Sequence, residues 1–420
     1  MERHQLRRMK FSVFLVIILL ALQMFSMGNS IALSEPQSWP MFHYEPGHTG
    51  YSEGSAPDSG NLLWRFKTNG EVLSSPVIDG GLIYVGSRDR FLYCLNSNTG
   101  EELWKYETGS QIESTPAVVE GKVYVGSNDG YVYCLNAGDG SLIWRFESKG
   151  PILSVALFDS RVYASSADAY VYCLSEASGD EVWRYNSKGW PASITVVDEK
   201  AFVGSWIPGY NFSCLDANTG VPIWSFQPRI NIIPTYAAVA NGEVFIGEQS
   251  IPGYMYCFDE NTGTLNWDRQ LELPVASSPA VGRGLVYAGS NDGYVYCFNV
   301  NDGLPIWRFE TKGPVLSSPA IVDGNVFFGS NDGYVYAVDQ SSGTLVWSYK
   351  TENSVRSSPA IVDGKLFVGS DDGYVYALGS GQASFPSMMV VLVLAAIIVV
   401  AVLSVILFVI SRRRETKQPN

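Results

Sequence analysis

VLSSPAIVDGNVFFGSNDGYVYAVDQSSGTLVWSYK, residues 315–350, decides the fold. Four extended runs are separated by turn signals. VLSSPAIVD is followed by Gly324, NVFFGS by Asn331-Asp332-Gly333, GYVYAV by Ser341-Ser342-Gly343, and TLVWSYK closes the unit. Aromatic and β-branched residues alternate with small or polar ones, the period of strands, and Asn-Asp-Gly is a tight hairpin signal. Four antiparallel strands in about 40 residues describe one blade of a propeller.

The unit recurs on both sides. Trp64, Trp104, Trp144, Trp183, Trp224, Trp267, Trp307 and Trp347 follow one another at intervals of 40, 40, 39, 41, 43, 40 and 40 residues. Each lies four residues after a glycine: Gly60, Gly100, Gly140, Gly179, Gly220, Gly263, Gly303 and Gly343. The strands are lettered A to D from the inside of each blade outward. The A strands are expected to begin near Val72, Ile112, Ile152, Pro191, Ile233, Val275, Val315 and Val355. The last unit stops after its third strand, 373–378, and the first begins with a lone fourth strand, 61–67. The N-terminal strand is therefore expected to complete blade eight and close the ring, which removes an open sheet edge. The expected fold is all-β, an eight-bladed propeller over 61–379, with one C-terminal transmembrane helix. Pro76, Pro116, Pro279, Pro319 and Pro359 fall in A strands, where an inner edge tolerates a residue that cannot donate.

CLNSNTGEELW (94–104), CLDANTGVPIW (214–224) and CFDENTGTLNW (257–267) resemble the repeats of the pyrroloquinoline-quinone (PQQ) β-propeller family. The lead-in WPMFHYEPGHTGYS, 39–52, resembles that of many such proteins. The resemblance covers 39–379 and implies that the eight tryptophans dock between neighbouring blades over the glycines. It leaves activity open, because the family includes both quinoprotein dehydrogenases and the non-catalytic propeller lipoprotein of the outer-membrane barrel-assembly machine. Its dehydrogenases carry an adjacent cysteine pair over the cofactor and acidic ligands for calcium. Here no two cysteines lie closer than 39 positions.

Composition narrows the chemistry. The chain has 420 residues and a net charge of −13, and its residues 1–10 and 412–420 each carry +3, which leaves −19 between them. A body that acidic lacks the cationic footprint nucleic acid requires. Three histidines in the whole chain, none inside the expected ring, argue against histidine-based catalysis. Cys94, Cys134, Cys173, Cys214, Cys257 and Cys297 share one repeat position with Ala337 and Ala377, so the site calls for a small apolar side chain. Equivalent points on adjacent blades are expected to exceed the reach of a disulfide, about 7 Å between Cα atoms, so six buried free thiols are expected. The Asn-Asp-Gly turns lack the acidic pattern of a calcium loop. His43, Glu45 and His48 could hold a metal, but the lead-in is expected to be a plain surface segment, tucked under the ring at most. The repeated Ser-Ser before each A-strand proline is expected to line a wet tunnel. No metal and no cofactor is expected.

The repeat breaks in blades 3 to 5. B–C turns lengthen to 205–210 and 248–254, and D–A connections change to 188–191 and 227–234. Strand parity puts all four on one face. They bring together Trp190, Trp206, Tyr210, Arg229, Glu248 and Tyr254, types that include those enriched at binding hot spots, as a candidate patch. Asn211-Phe212-Ser213 is a lone glycosylation sequon.

The ends suggest export. Residues 1–32 read as a signal peptide: Arg7, Arg8 and Lys10, an apolar run from Phe11 to Phe25, and Ser30-Ile31-Ala32 for cleavage. An uncleaved anchor is the alternative. No cysteine follows the run, which speaks against a lipid anchor there. After a lead-in of 33–60, the propeller and a linker of 380–387 comes MMVVLVLAAIIVVAVLSVILFVI, 388–410. At about 1.5 Å per residue this exceeds the roughly 30 Å hydrocarbon core. Arg412-Arg413-Arg414 would stay inside, leaving 411–420 as a cytoplasmic tail and the propeller extracellular. The expected function is a non-catalytic surface scaffold whose outward face takes a protein or surface polymer. The alternatives are a quinoprotein-type oxidoreductase or cofactor carrier, and a structural envelope layer.

Overall fold

The computed structural model describes residues 38–205, 211–228 and 235–380. The segments expected as signal peptide and membrane helix lie outside these residues, as do Trp206, Tyr210 and Arg229. Among the described residues no helix is long and apolar enough to cross a membrane.

Eight sheets follow one another along the chain. In blade 7 strand A is Ala320–Val322, B Asn325–Gly329, C Tyr334–Asp339 and D Leu345–Lys350, paired antiparallel throughout. Closure is as the strand count requires. Leu62–Lys67 pairs antiparallel with Tyr374–Gly379, Trp64 opposite Ala377 and Lys67 opposite Tyr374. Blade 8 is thus built from both ends of the ring.

The A strands are shorter than their sequence suggests. In the five proline-bearing blades they cover only three residues, starting just after Pro76, Pro116, Pro279, Pro319 or Pro359. Proline fixes φ and removes a ladder donor, although blade 5 has an equally short A strand, Ala238–Ala240, behind Ala237. Blades 3 and 4 show the converse. There Val155 and Ile194 pair normally with Ala164 and Val203, and A strands run for seven residues, Ile152–Phe158 and Pro191–Val197.

Each D-strand tryptophan leans onto the next blade. Trp64 Nε1 donates to the Ser97 carbonyl at 3.1 Å and Trp307 Nε1 to that of Gln340 at 3.1 Å. The other indoles do the same, and Trp347 ends on Pro57 of the lead-in at 3.1 Å. The ring lies flat on the neighbour's C–D turn glycine. A Cβ on Gly343, whose φ is +69°, would come within 2.6 Å of Trp307 Cδ2, so only glycine fits. Trp144 and Trp267 are buried and the other six half-buried.

The seam has a second tie. Asp371 pairs with Arg356 at 2.7 Å, Arg356 with Glu71 at 3.3 Å, Glu71 with Arg88 at 2.5 Å and Arg88 with Glu113 at 2.8 Å. This chain of charges runs across blades 8, 1 and 2. Burial raises the Asp371 carboxyl above its ordinary range, and the Arg356 guanidinium opposes that shift.

Replacing Trp307 by Ala removes one such wedge, and large-to-small changes of this kind cost about 3 kcal/mol. The expected result is a fall of roughly 5–10 °C in the melting midpoint. Gly343→Ala, which pushes the indole off its seat, should lower it as well. A Trp307→Ala midpoint equal to that of the native protein would refute the docking role.

Candidate binding face and the closed end of the tunnel

The two ends of the ring differ. The A–B and C–D turns form the lower end, the B–C turns and D–A connections the upper. A strands face the tunnel with an unpaired inner edge, and the lead-in fills it at the lower end. Amides of Ile78, Val118, Val239, Val281 and Ile321, the middle residues of five A strands, donate to the carbonyls of Trp39, Pro40, Gly47, Thr49 and Gly50 at 2.7–2.8 Å. Tyr51–Ser52 adds a short parallel strand beside Ile321 and Val322 of blade 7. The lead-in is therefore not a plain surface segment but a plug across the lower end.

The plug also carries two histidines into the ring, where the sequence reading had none. His43 Nδ1 donates to the His48 carbonyl at 3.0 Å, and His48 Nδ1 lies 3.1 Å from Thr195 Oγ1 of blade 4. Phe42 stacks on His43 with centroids 4.3 Å apart and packs on Tyr236 of blade 5 at 4.3 Å. Burial holds both imidazoles neutral, His43 down at about 4 and His48 at about 3. Glu45 accepts the Thr49 hydroxyl. These side chains wedge the plug in place; among the described residues no cluster of three metal-ligating groups occurs.

The Ser-Ser pairs are buried and hydrogen-bonded. The first hydroxyl braces its own blade: Gly86, Gly126, Gly289, Gly329 and Gly369 amides donate to Ser74, Ser114, Ser277, Ser317 and Ser357 at 2.6–3.2 Å. The second links blades. Amides of Tyr236, Ser278, Ser318 and Ser358 donate to Oγ of Ser278, Ser318, Ser358 and Ser75 at 2.9–3.0 Å. This belt crosses the seam from blade 8 to blade 1.

The turn aspartates are brackets. Asp332 Oδ1 accepts the Tyr334 amide at 3.0 Å, while Oδ2 accepts the Tyr336 hydroxyl at 2.8 Å and the Lys312 amide of the preceding D–A connection at 2.9 Å. Asp89, Asp129, Asp168, Asp292 and Asp372 hold their equivalents of Tyr334 and Tyr336 in the same way. Their donors are amides and phenols of the fold itself.

The bracket changes where the repeat breaks. In blade 5 the Tyr256 hydroxyl donates to Glu248 instead, a carboxylate from the end of strand B. Glu248 is fully buried and Tyr254 is 8% exposed, its hydroxyl donating to Gln270 at 3.1 Å. These two side chains of the expected patch therefore sit inside the blade and support the upper surface rather than form it. Trp190, at the upper start of strand A in blade 4, is 52% exposed, and Ile251 nearby in sequence to Glu248 is 72% exposed. The structure thus presents Trp190 on the expected face, and the placement of Trp206, Tyr210 and Arg229 lies outside the described residues.

All six cysteines are free and fully buried, one in each of blades 1 to 6. Each stands directly across strands C and D from a docking tryptophan, Cys94 opposite Trp104 and Cys297 opposite Trp307, with Ala337 opposite Trp347 and Ala377 opposite Trp64. A small side chain there leaves the indole free to lean outward onto the next blade. Burial pushes the thiols up, Cys134 to about 11 and Cys94, Cys214 and Cys297 to about 12. The adjacent cysteine pair implied for a quinone cofactor has no counterpart in this arrangement, so the donor set does not fit that group.

A family model described as outer membrane protein assembly factor BamB matches residues 53–164, 128–252 and 252–383. No curated protein matches the chain. Among solved structures, BamB from Moraxella catarrhalis superposes with a TM-score of 0.65 at 18% identity, covering 76% of this chain and 99% of its own. The quinohemoprotein alcohol dehydrogenase from Comamonas testosteroni gives 0.70 at 17%, covering 83% of this chain and 82% of its own. The computationally designed Ika8 protein gives 0.68 at 17%, covering 76% of this chain and 100% of its own. At these identities the likeness is one of fold, shared by a dehydrogenase and by proteins of other kinds.

Two outcomes are expected from these sites. The neutral imidazoles make the folded protein bind fewer protons than the unfolded chain below about 6.5, so their contribution to stability is present above that value and is lost as pH falls. Between pH 7 and 4.5 the melting midpoint of the native protein should therefore fall more steeply than that of His43→Gln/His48→Gln; parallel curves would contradict it. For the thiols, intact mass without reductant should show six unpaired cysteines, and iodoacetamide should label none until denaturant is added. Loss of two protons per pair would establish disulfides instead.

Proposed function

Because this chain belongs to the propeller family described as outer membrane protein assembly factor BamB, we propose that it is a non-catalytic binding or scaffolding module. The observation that carries the reading is the asymmetry of the ring. The lead-in seals the lower end with five backbone hydrogen bonds to inner A-strand edges, whereas the repeat changes at the upper end in blades 3 to 5. A rigid wheel plugged on one side offers one open face, and that face holds the exposed Trp190.

Orientation follows from where the chain leaves. Strand C of blade 8 ends at Gly379, at the lower end. Residues 388–410 are long and apolar enough to span a bilayer, and Arg412-Arg413-Arg414 favour the inside. The propeller is then exported and anchored by its lower end, with the upper face outward. Trp190, Trp206, Tyr210 and Arg229 form the contact surface for a protein or surface polymer, backed by Glu248 and Tyr254. By its description BamB is a factor in the assembly of outer membrane proteins; a protein partner is the corresponding reading here.

The quinoprotein reading draws on the superposition with the alcohol dehydrogenase, and the isolated thiols oppose it. One experiment separates the two. The full chain is recovered from its own membranes with cross-linked partners, alongside Trp190→Ala/Trp206→Ala/Arg229→Ala. Retained melting behaviour with at least a tenfold loss of captured partner is expected. Full capture by the variant would remove the patch from the account. Saturable binding of added PQQ with calcium, with dye reduction, would favour the enzyme.

A further inference from the structure

Blade 4 departs from its neighbours in a way that packing does not require. In blade 7 the start of strand C reads Tyr334-Val335-Tyr336. Val335 is buried, Tyr336 gives its hydroxyl to the turn aspartate, and the Tyr334 ring lies under Lys350 Nζ at 4.6 Å. Five other blades repeat the cation over the ring: Lys105 on Phe91, Arg145 on Tyr131, Arg184 on Tyr170, Arg308 on Tyr294 and Lys67 on Tyr374, at 4.4–5.6 Å. In blade 4 the register Cys214 opposite Trp224 aligns with Ala337 opposite Trp347. Asn211 therefore takes the place of the stacked ring, Phe212 that of the buried valine and Ser213 that of the bracketing tyrosine. Phe212 is 1% exposed and keeps the packing. The two substituted positions are the two that spell Asn-x-Ser, the single such triplet in the chain.

We propose that Asn211 is a modification site that carries an N-linked glycan. Asn211 is exposed at the upper end of strand C, on a flank that elsewhere is covered by a stacked ring and its cation. On strand D, Ser225 stands opposite Ser213 as Ser348 stands opposite Tyr336 in blade 7, and the register puts Gln227 at the position of Lys350, so neither strand D position holds a cation. Both tyrosine roles have been given up at once, and Asn211 is exposed at the position the stacked ring takes in the other blades. The donor is an oligosaccharide on a polyprenyl phosphate or diphosphate lipid. Asn211 Nδ2 bonds to the anomeric carbon, the bond from that carbon to the lipid phosphate oxygen breaks, the lipid phosphate leaves with the electron pair, and the amide gives up one proton.

The fold also sets the order of events. Ser213, whose hydroxyl completes the sequon, is 6% exposed and locked in the ladder between Val203 and Ser225. Transfer must precede closure of blade 4, on the chain as it is exported; afterwards the glycan stays on the exposed Asn211. Trp190 lies next to Pro191, which pairs with Ser205 at the same end of the blade. Two strand spacings, roughly 10 Å, separate Asn211 from this tryptophan, so the sugar would rim the proposed contact face. The inference rests on the proposed export of the propeller.

Full-length protein is taken from its own cells, after protease treatment of intact cells has scored exposure of the propeller. The tryptic peptide 201–229 is then weighed. Most molecules should carry sugar increments on Asn211, absent in Asn211→Gln and Ser213→Ala and retained in Ser213→Thr, with unchanged melting. Folded unmodified protein offered to the same membranes should accept sugar at least tenfold more slowly than the unfolded peptide 201–229. Unmodified Asn211 in protease-accessible protein overturns the proposal while leaving export intact. Unmodified Asn211 in inaccessible protein overturns both. Equal transfer to folded protein overturns the order of events.

Discussion

An indole laid on a glycine of the next blade is the contact on which the wheel depends. It fixes three things at once. The glycine must bear no Cβ, and in the C–D turns it is left-handed as well, as at Gly343 with φ +69° beneath Trp307. The residue across the C–D ladder from the tryptophan must be small, hence cysteine or alanine in all eight blades. And the indole N–H needs a carbonyl on the neighbour, so each blade completes its polar bonding only when the next is in place. A buried or half-buried donor without that carbonyl would cost free energy comparable to the bond itself. The last tryptophan, Trp347, finds its carbonyl on Pro57 and its glycine at Gly60. The chain ahead of the first blade is thereby part of the ring.

Closure leaves a second problem, the inner edges of eight A strands around a tunnel. Polar groups there must be satisfied. The lower half is served by lead-in carbonyls, the upper by hydroxyls that accept amides from one blade to the next. Proline at the junction of the two halves removes one donor that neither system would reach. Where proline gives way to Val155 and Ile194, the A strands lengthen and the bonding becomes ordinary ladder. His48 meets Thr195 at that irregular sector, so the plug is keyed to one part of the ring and cannot sit in eight equivalent ways.

Acidic turns follow the same economy. A carboxylate that accepts a turn amide, a phenol and an amide from the adjacent connection ties three segments together. The B–C turn aspartates are therefore brackets, and the acidity of the body is in part structural. Glu248 shows that the bracket can be supplied from strand B when the turn is rebuilt, which frees the loop above it to vary. Variation in blades 3 to 5 thus sits on an invariant frame, the condition for a binding surface on a rigid support.

The sequence alone determined the architecture. A residue pattern that repeats at Gly60-x-x-x-Trp64 and seven further times dictates one local packing solution, and packing between identical neighbours is itself local, so blade number, strand order and the seam between Leu62–Lys67 and Tyr374–Gly379 were legible. The cysteines could be read because alanine shares their position. Tertiary structure alone decided the fate of residues outside the repeat. The lead-in has no periodicity of its own, and it binds five A strands through backbone carbonyls, so nothing in its residue types announces a plug or brings His43 and His48 into the ring. Glu248 and Tyr254 likewise read as exposed loop residues, because hot-spot side chains and bracket side chains are the same chemical types; only the register of Tyr256 against strand B shows which way they face.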